Sequence, residues 1–226
     1  MKLAGEKIVQ AALRGGRARV SGRTGWQKIA RRIRVPMGFV FAAVFLWLAR
    51  PSLKTLLASL LLVVPGLWLR GYASGYVKKN AELATTGPYA YTRNPLYLGS
   101  MLIAFGFALG ASSSWVGLGL LWVALAVLFA AIYIPTIQGE EAFLREHFTG
   151  FGAYAREVPR LLPRLTSARV GGVEGEAGGF SAALYRKHRE YNALMGAGAI
   201  YGALVLKFVW EQHTFVAGFS KPPWWP

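Results

Sequence analysis

Long apolar runs alternate with short polar stretches along this 226-residue chain. The clearest run, Asn94 to Gly139, holds 46 residues without a Lys, Arg, His, Asp or Glu. About 20 apolar residues span a bilayer core, so this run is long enough for two crossings. Gly110-Ala111-Ser112-Ser113-Ser114 breaks it and supplies hydroxyls that can cap a following helix, which predicts helices near 95–111 and 115–137. Upstream, Pro36–Ala49 and Thr55–Leu69 are joined by the tight link Arg50-Pro51-Ser52-Leu53-Lys54. The first is short for a crossing, and an interfacial Trp47 with a snorkelling Arg50 completes it. The second can continue through Arg70 to Val77, with Arg70 facing a polar cavity. A fifth segment, Tyr191–Trp210, carries Lys207 near one end. Its Gly196-Ala197-Gly198 and Gly202 follow no strand, so they read as a small-residue surface for close helix packing and not as a dinucleotide loop.

Residues 115–137 have no polar face, unlike the helices of a water-soluble bundle. The pattern therefore predicts an all-α integral membrane bundle of about five transmembrane helices. The first apolar run begins after 35 residues and no small-residue cleavage pattern follows it, so no removable signal peptide is expected.

Charge adds an orientation. Lys and Arg number 26 against 10 acids, a net charge of +16. Residues 1–35 carry ten Lys or Arg, 70–93 four and 138–190 eight. Five crossings beginning in the cytoplasm put all three segments on one side, in accord with the positive-inside rule. In the first segment Trp26, Ile29 and Ile33 share a helical face while Lys28, Arg31, Arg32 and Arg34 lie elsewhere, as in a helix resting on anionic lipid. The basic residues flank membrane segments, so the charge is not a nucleic-acid footprint.

Composition narrows the chemistry. All ten acids are Glu, and there is no Asp or Cys. Thiolate metal sites, thiol nucleophiles and a Ser-His-Asp triad are excluded. Three scattered histidines, His147, His188 and His213, make no metal site.

Two polar segments stand out. The first runs Thr85-Thr86-Gly87-Pro88-Tyr89-Ala90-Tyr91-Thr92-Arg93-Asn94-Pro95-Leu96-Tyr97-Leu98-Gly99. Gly87-Pro88 forces a turn, and Pro95 suits a helix's first position, where its missing N–H costs nothing. The free N–H groups of that helix start favour an anion such as a carboxylate. The plainer reading is a membrane-interface belt of Tyr and Arg. The second segment is Gly139-Glu140-Glu141, followed by Tyr154 and Val158-Pro159-Arg160. Adjacent carboxylates at a membrane boundary need solvation or a partner. A solvated helix start, where acids are favoured, is the alternative.

Taken together, Gly-Pro-Tyr, Arg-x-Pro-x-Tyr-x-Gly, a helical hairpin, Glu-Glu and Val-Pro-Arg resemble the catalytic half of the isoprenylcysteine carboxyl methyltransferase and phospholipid methyltransferase superfamily. The resemblance covers residues 79–164. It implies a membrane enzyme with a cytoplasmic C-terminal catalytic segment. S-adenosylmethionine would lie between the hairpin and that segment, and a lipid-like acceptor would arrive from the bilayer. Gly87, Pro88, Tyr89, Asn94, Tyr97, Glu140 and Glu141 would line the cofactor site. Arg160, Arg93 and Tyr154 would reach the reacting ends, Tyr154 and Arg160 on the acceptor side. Many members have His where this chain has Asn94, which cannot carry a proton near neutral pH.

The chain then divides into a basic interfacial segment (1–35), two membrane helices (36–77), the methyltransferase core (78–164), a cytoplasmic linker (165–190) and a fifth membrane helix with its tail (191–226). If the acceptor is a carboxylate, charge is annihilated in the transition state and a dry site favours it, with Arg160 or Arg93 orienting the acceptor. If it is a lipid amine, Glu140 or Glu141 is the candidate base. Carboxyl methylation stands first and phospholipid amine methylation second. A nicotinamide-dependent sterol-reductase-like enzyme and a non-enzymatic membrane binding or transport protein are the other readings. The expected partners are the lipid-like substrate and anionic lipids of the bilayer.

Overall fold

A computed structural model describes residues 42–77, 82–112, 114–168 and 179–216. The basic helix expected around Trp26 and the start of the first membrane segment, 36–41, lie outside the described residues. The chain divides into two units, Met1–Phe45 and Leu46–Pro226. Of the first, residues 42–45 are described and are helical. All helices from residue 53 onward belong to the second.

Helix α1, Leu53–Ser74, starts where the sequence caps it. Ser52 Oγ accepts from Thr55 N at 3.2 Å, and Thr55 Oγ1 accepts from Ser52 N at 3.0 Å, a reciprocal capping box. Pro95 opens α2, Pro95–Ala111. Ser114 Oγ accepts from Gly117 N at the start of α3, Trp115–His147. Two seven-residue helices come next, α4 at Phe151–Glu157 and α5 at Ala182–His188, and then α6, Tyr191–Val216. Helix α5 falls inside the stretch expected to be a linker. Its Ser181 cap, whose Oγ accepts from Leu184 N at 3.3 Å, was the available signal.

Among the described residues, α1, α3 and residues 191–213 of α6 are long and apolar enough to cross a membrane, and α2 is a shorter apolar helix. Apolar side chains on α3 such as Val116, Leu120, Val123 and Val127 are exposed. A face of that kind is suited to acyl chains and not to water.

The tightest packing is between α1 and α2. A Cβ on Gly66 would stand 2.8 Å from Gly99 O, and one on Gly106 would stand 2.6 Å from Val63 Cγ2. Gly110 sits against Ser59. Small residues thus let the two backbones approach, as membrane interfaces require in the absence of a hydrophobic force between helices. The expectation had placed this device on α6, and that is corrected here: nothing lies within 4 Å of a Cβ built on Gly196, Gly198 or Gly202. Helix α6 instead buries Ala197 and Leu204, and Tyr201 OH donates to Leu56 O at 2.8 Å. At its far end Lys207 Nζ donates to Leu46 O at 2.8 Å and Trp47 O at 2.7 Å. Those carbonyls end a helical stretch over 42–48, where a cation is electrostatically favoured.

The second hairpin helix does not stop at 137. It runs ten residues further, to His147, because nothing in Gln138–His147 breaks it and Glu, Leu, Arg and Ala favour helix. At about 1.5 Å per residue its 33 residues reach about 50 Å, well beyond a hydrocarbon core of about 30 Å. Glu140 and Glu141 therefore sit in the last turns of a long membrane helix and not at a helix start, which overturns the solvated-start alternative.

Candidate active site

The polar segment before α2 folds as a 3-10 turn, Gly87–Ala90. Gly87 has φ +58, and a Cβ there would stand 2.5 Å from the Tyr76 ring, so the position demands glycine on two counts. Pro88 and Tyr89 are buried.

This turn is sewn to the strip after α4. Arg93 N donates to Pro159 O at 2.9 Å, Arg164 N to Tyr91 O at 2.9 Å and Ala168 N to Ala90 O at 2.9 Å. Side chains add to the seam. Thr92 Oγ1 donates to Leu161 O at 2.9 Å, and Asn94 Nδ2 donates to Arg160 O at 2.8 Å. Asn94 thus stands at the N-cap position of α2 without capping it; its amide holds the strip. Beneath the seam Leu83, Phe151, Tyr154 and Val158 form a small core. Tyr154 OH donates to Tyr89 O at 2.8 Å, and burial pushes both phenols well above their ordinary pKa, so both stay protonated.

Adjacent residues on a helix point about 100° apart, and the two glutamates use that difference. Glu140 is exposed and accepts from Tyr97 OH on α2 at 2.9 Å. Glu141 is buried. Arg160 grips both its oxygens, Nε to Oε1 at 3.1 Å and Nη2 to Oε2 at 2.8 Å, and Arg93 Nη1 lies 3.1 Å from Oε1. The bond to Glu141 raises the Arg160 pKa further. Carboxylates near a helix C-terminus oppose the helix dipole, and the two guanidinium groups offset that cost.

The structure brings Arg93, Asn94, Glu141 and Arg160 into one network and Tyr97 and Glu140 into a second beside it, bridging α2 and α3. Gly87, Pro88, Tyr89 and Tyr154 build the turn and its support. The sequence reading missed Thr92, which is buried and bonds the strip, and Tyr133, whose ring lies 4.6 Å from that of Tyr97. A Tyr seven residues before Glu140 on the same helix was the signal for the latter. Arg70 does not face an open cavity. Its guanidinium bonds Glu190 bidentately, Nη2 to Oε1 and Oε2 at 2.9 Å, and also reaches Ser100 Oγ and Leu96 O.

The residues present suit a sulfonium amino acid with a carboxylate and an ammonium. Arg93 Nε is buried with no hydrogen-bond partner, so this donor is unsatisfied in the fold. The Arg160 side chain is half exposed, and the Glu140 carboxylate can accept from an ammonium or hydroxyls.

An apolar helical hairpin with a polar, ion-paired loop at one end defines a membrane protein whose functional groups gather at the bilayer boundary. Residues 53–150 match the phospholipid methyltransferase family, one of the isoprenylcysteine carboxyl methyltransferase and phospholipid methyltransferase superfamily of membrane enzymes. It is 37% identical over 145 residues to the cobalt-zinc-cadmium resistance protein CzcN of Cupriavidus metallidurans, covering 60% of this chain and 64% of that one. It is also 37% identical over 103 residues to the nickel-cobalt-cadmium resistance protein NccN of Alcaligenes xylosoxydans xylosoxydans, covering 46% of this chain and 45% of that one. The matched stretch thus spans less than two thirds of either relative. No solved structure matches the chain.

Proposed function

We propose that the chain is an S-adenosylmethionine-dependent methyltransferase acting on a lipid-like molecule delivered from the bilayer, with its site on the cytoplasmic side. The observation that carries the reading is the Arg93–Glu141–Arg160 cluster beside Tyr97–Glu140, set on a hairpin of a methyltransferase family. Glu140 and Tyr97 would hold the cofactor's polar groups, and Arg93 its carboxylate, which leaves Arg160 to the acceptor. When bound, the cofactor supplies an activated methyl group, so the protein needs chiefly to align the acceptor and exclude water.

Glu141 fixes both guanidinium groups and is neutralised by them, which leaves Glu140 as the carboxylate available to take a proton from an ammonium acceptor. For a carboxylate acceptor, the half-exposed Arg160 orients it and no base is needed. Carboxyl methylation, as in isoprenylcysteine carboxyl methyltransferases, remains the first reading and amine methylation of a phospholipid the second, which the family's description favours. The relatives are named as metal-resistance proteins, which supports a metal-resistance setting for the reaction. In that setting, methylation would alter a membrane molecule's charge or its affinity for divalent cations.

Membranes containing the chain, incubated with methyl-labelled S-adenosylmethionine, are expected to transfer label to an organic-extractable product. Release of that label as methanol in mild base identifies an ester, and retention identifies an amine. No transfer, together with no saturable binding of S-adenosylhomocysteine to the purified protein, would overturn the methyltransferase reading.

A further inference from the structure

Helices α1 and α6 enclose an apolar groove of about 470 Å³ that the methyl-transfer site does not use. A volume of that size is typical of a ligand pocket. Trp68 and Tyr72 on α1, Phe180 just before α5, Tyr185 on α5 and Leu194 on α6 line it, with Glu190 at the turn between α5 and α6. The aromatic wall is ordered: Trp68 stacks on Tyr72 at 5.1 Å, and Tyr72 stacks on Phe180 at 6.0 Å. Its α5–α6 half lies beyond the residues matched by the family.

Both long helices of the groove are apolar enough to cross a membrane, so its natural surroundings are acyl chains. Its mouth is basic. Between the lining residues Tyr185 and Glu190 stand Arg186, Lys187 and Arg189, all exposed. His188 Nδ1 donates to Ser74 O at 2.9 Å and Ser181 N donates to Gly75 O at 3.0 Å, which pins this cationic turn to the end of α1. The charge of Glu190 is neutralised by its bidentate partner Arg70, so it does not repel an anion. Arg189 holds left-handed backbone, φ 55 and ψ 35, at the C-cap of α5, where glycine is the usual residue. An arginine at a strained glycine position points to a use for its side chain.

We infer that this groove binds one anionic phospholipid of the surrounding bilayer, its acyl chain along the aromatic wall and its phosphate on Arg186, Lys187 and Arg189. The inference stands independently of the methyltransferase reading. The lipid would hold α6 against α1 at the membrane boundary, where the negative leaflet concentrates such headgroups.

Native mass spectrometry of the full chain in detergent, with equimolar phosphatidylglycerol and phosphatidylcholine of identical chains, tests it. The wild type is expected to carry one phosphatidylglycerol, several-fold more often than phosphatidylcholine. The exposed triple variant R186Q/K187Q/R189Q should bring that ratio to about one, and L194W, which fills the groove, should lower retention of both lipids. An excess of inorganic phosphate should displace neither. Equal retention by the wild type, an unchanged ratio in the triple variant, full retention in L194W or displacement by phosphate would each overturn the assignment.

Discussion

Arg160 clasps the buried Glu141 through two hydrogen bonds, 2.8 and 3.1 Å, and so ties the strip after α4 to the end of the long membrane helix. Arg93 supplies a further cation at 3.1 Å, from the opposite side of the sequence motif. Removing the carboxylate charge leaves two guanidinium groups facing each other. Glu141→Gln is expected to lose about 2 kcal/mol in thermal unfolding in detergent, below the range for a fully buried pair because Arg160 is half exposed. Arg160→Ala leaves Arg93 on Glu141 and should cost less; an equal or larger loss would assign the anchoring to Arg160 instead.

Tyr97 and Glu140 meet at the exposed rim, so their bond adds little to the fold. Tyr97→Phe and Glu140→Gln should each unfold within about 0.5 kcal/mol of wild type. Each should weaken S-adenosylhomocysteine binding about tenfold, the equivalent of about 1.4 kcal/mol. Calorimetric titration checks this, and unchanged affinity in both variants would remove the pair from the proposed cofactor site.

The packed pair α1 and α2 tolerates no side chain at its contact. Gly66→Ala places a Cβ against the Gly99 carbonyl, a backbone atom that cannot rotate away, and should destabilise by about 1–3 kcal/mol. Gly119→Ala on α3 meets nothing within 4 Å and should be neutral or slightly stabilising. Thermal unfolding of the two variants side by side gives the comparison.

Gly87 combines a left-handed backbone with a crowded face. Gly87→Ala should cost about 1–2 kcal/mol from the backbone alone, and more from the Tyr76 ring. Adding Tyr76→Ala should recover the crowding part and leave the backbone part. Full recovery in the double variant would show that the positive φ carries no cost.

Burial holds the Tyr154 proton more tightly in the fold than in the unfolded chain. Its contribution is complete below the unfolded value of about 10 and is lost as pH rises above it. Tyr154→Phe removes the bond to Tyr89 O, so it should be less stable at neutral pH by about 1 kcal/mol. Its stability should also fall less steeply above pH 10. Unfolding midpoints from pH 7 to 11 measure both effects.

The helices were legible because apolar runs and their breaks are local signals: Pro95 and Ser114 mark starts where the structure has them, whereas the Ser52–Thr55 box, read as part of a link, starts α1 two residues earlier than expected. The end of α3 was not, because the expectation stopped the helix where hydrophobicity ends. Backbone hydrogen bonding has no reason to stop there. For the site, the motif pointed to Glu140 and Glu141 together, but nothing in two identical adjacent residues tells which one is buried. That depends on the helix continuing through them and on Arg160, which arrives from a separate element. Thr92 was missed for a similar reason, since its role is a hydrogen bond to a strip distant in sequence.

The length of α3 has a mechanical consequence. One continuous helix begins at the hairpin turn, runs on past Pro135 and ends by carrying both glutamates, so a change in its tilt reaches its site end. A bilayer thicker or thinner than the apolar part of that helix changes the tilt. The seam to residues 159–168 must then bend or move with it. Bilayer thickness thereby becomes an input to the alignment of Glu140 and Glu141, set by the lipids around the protein as much as by its own packing.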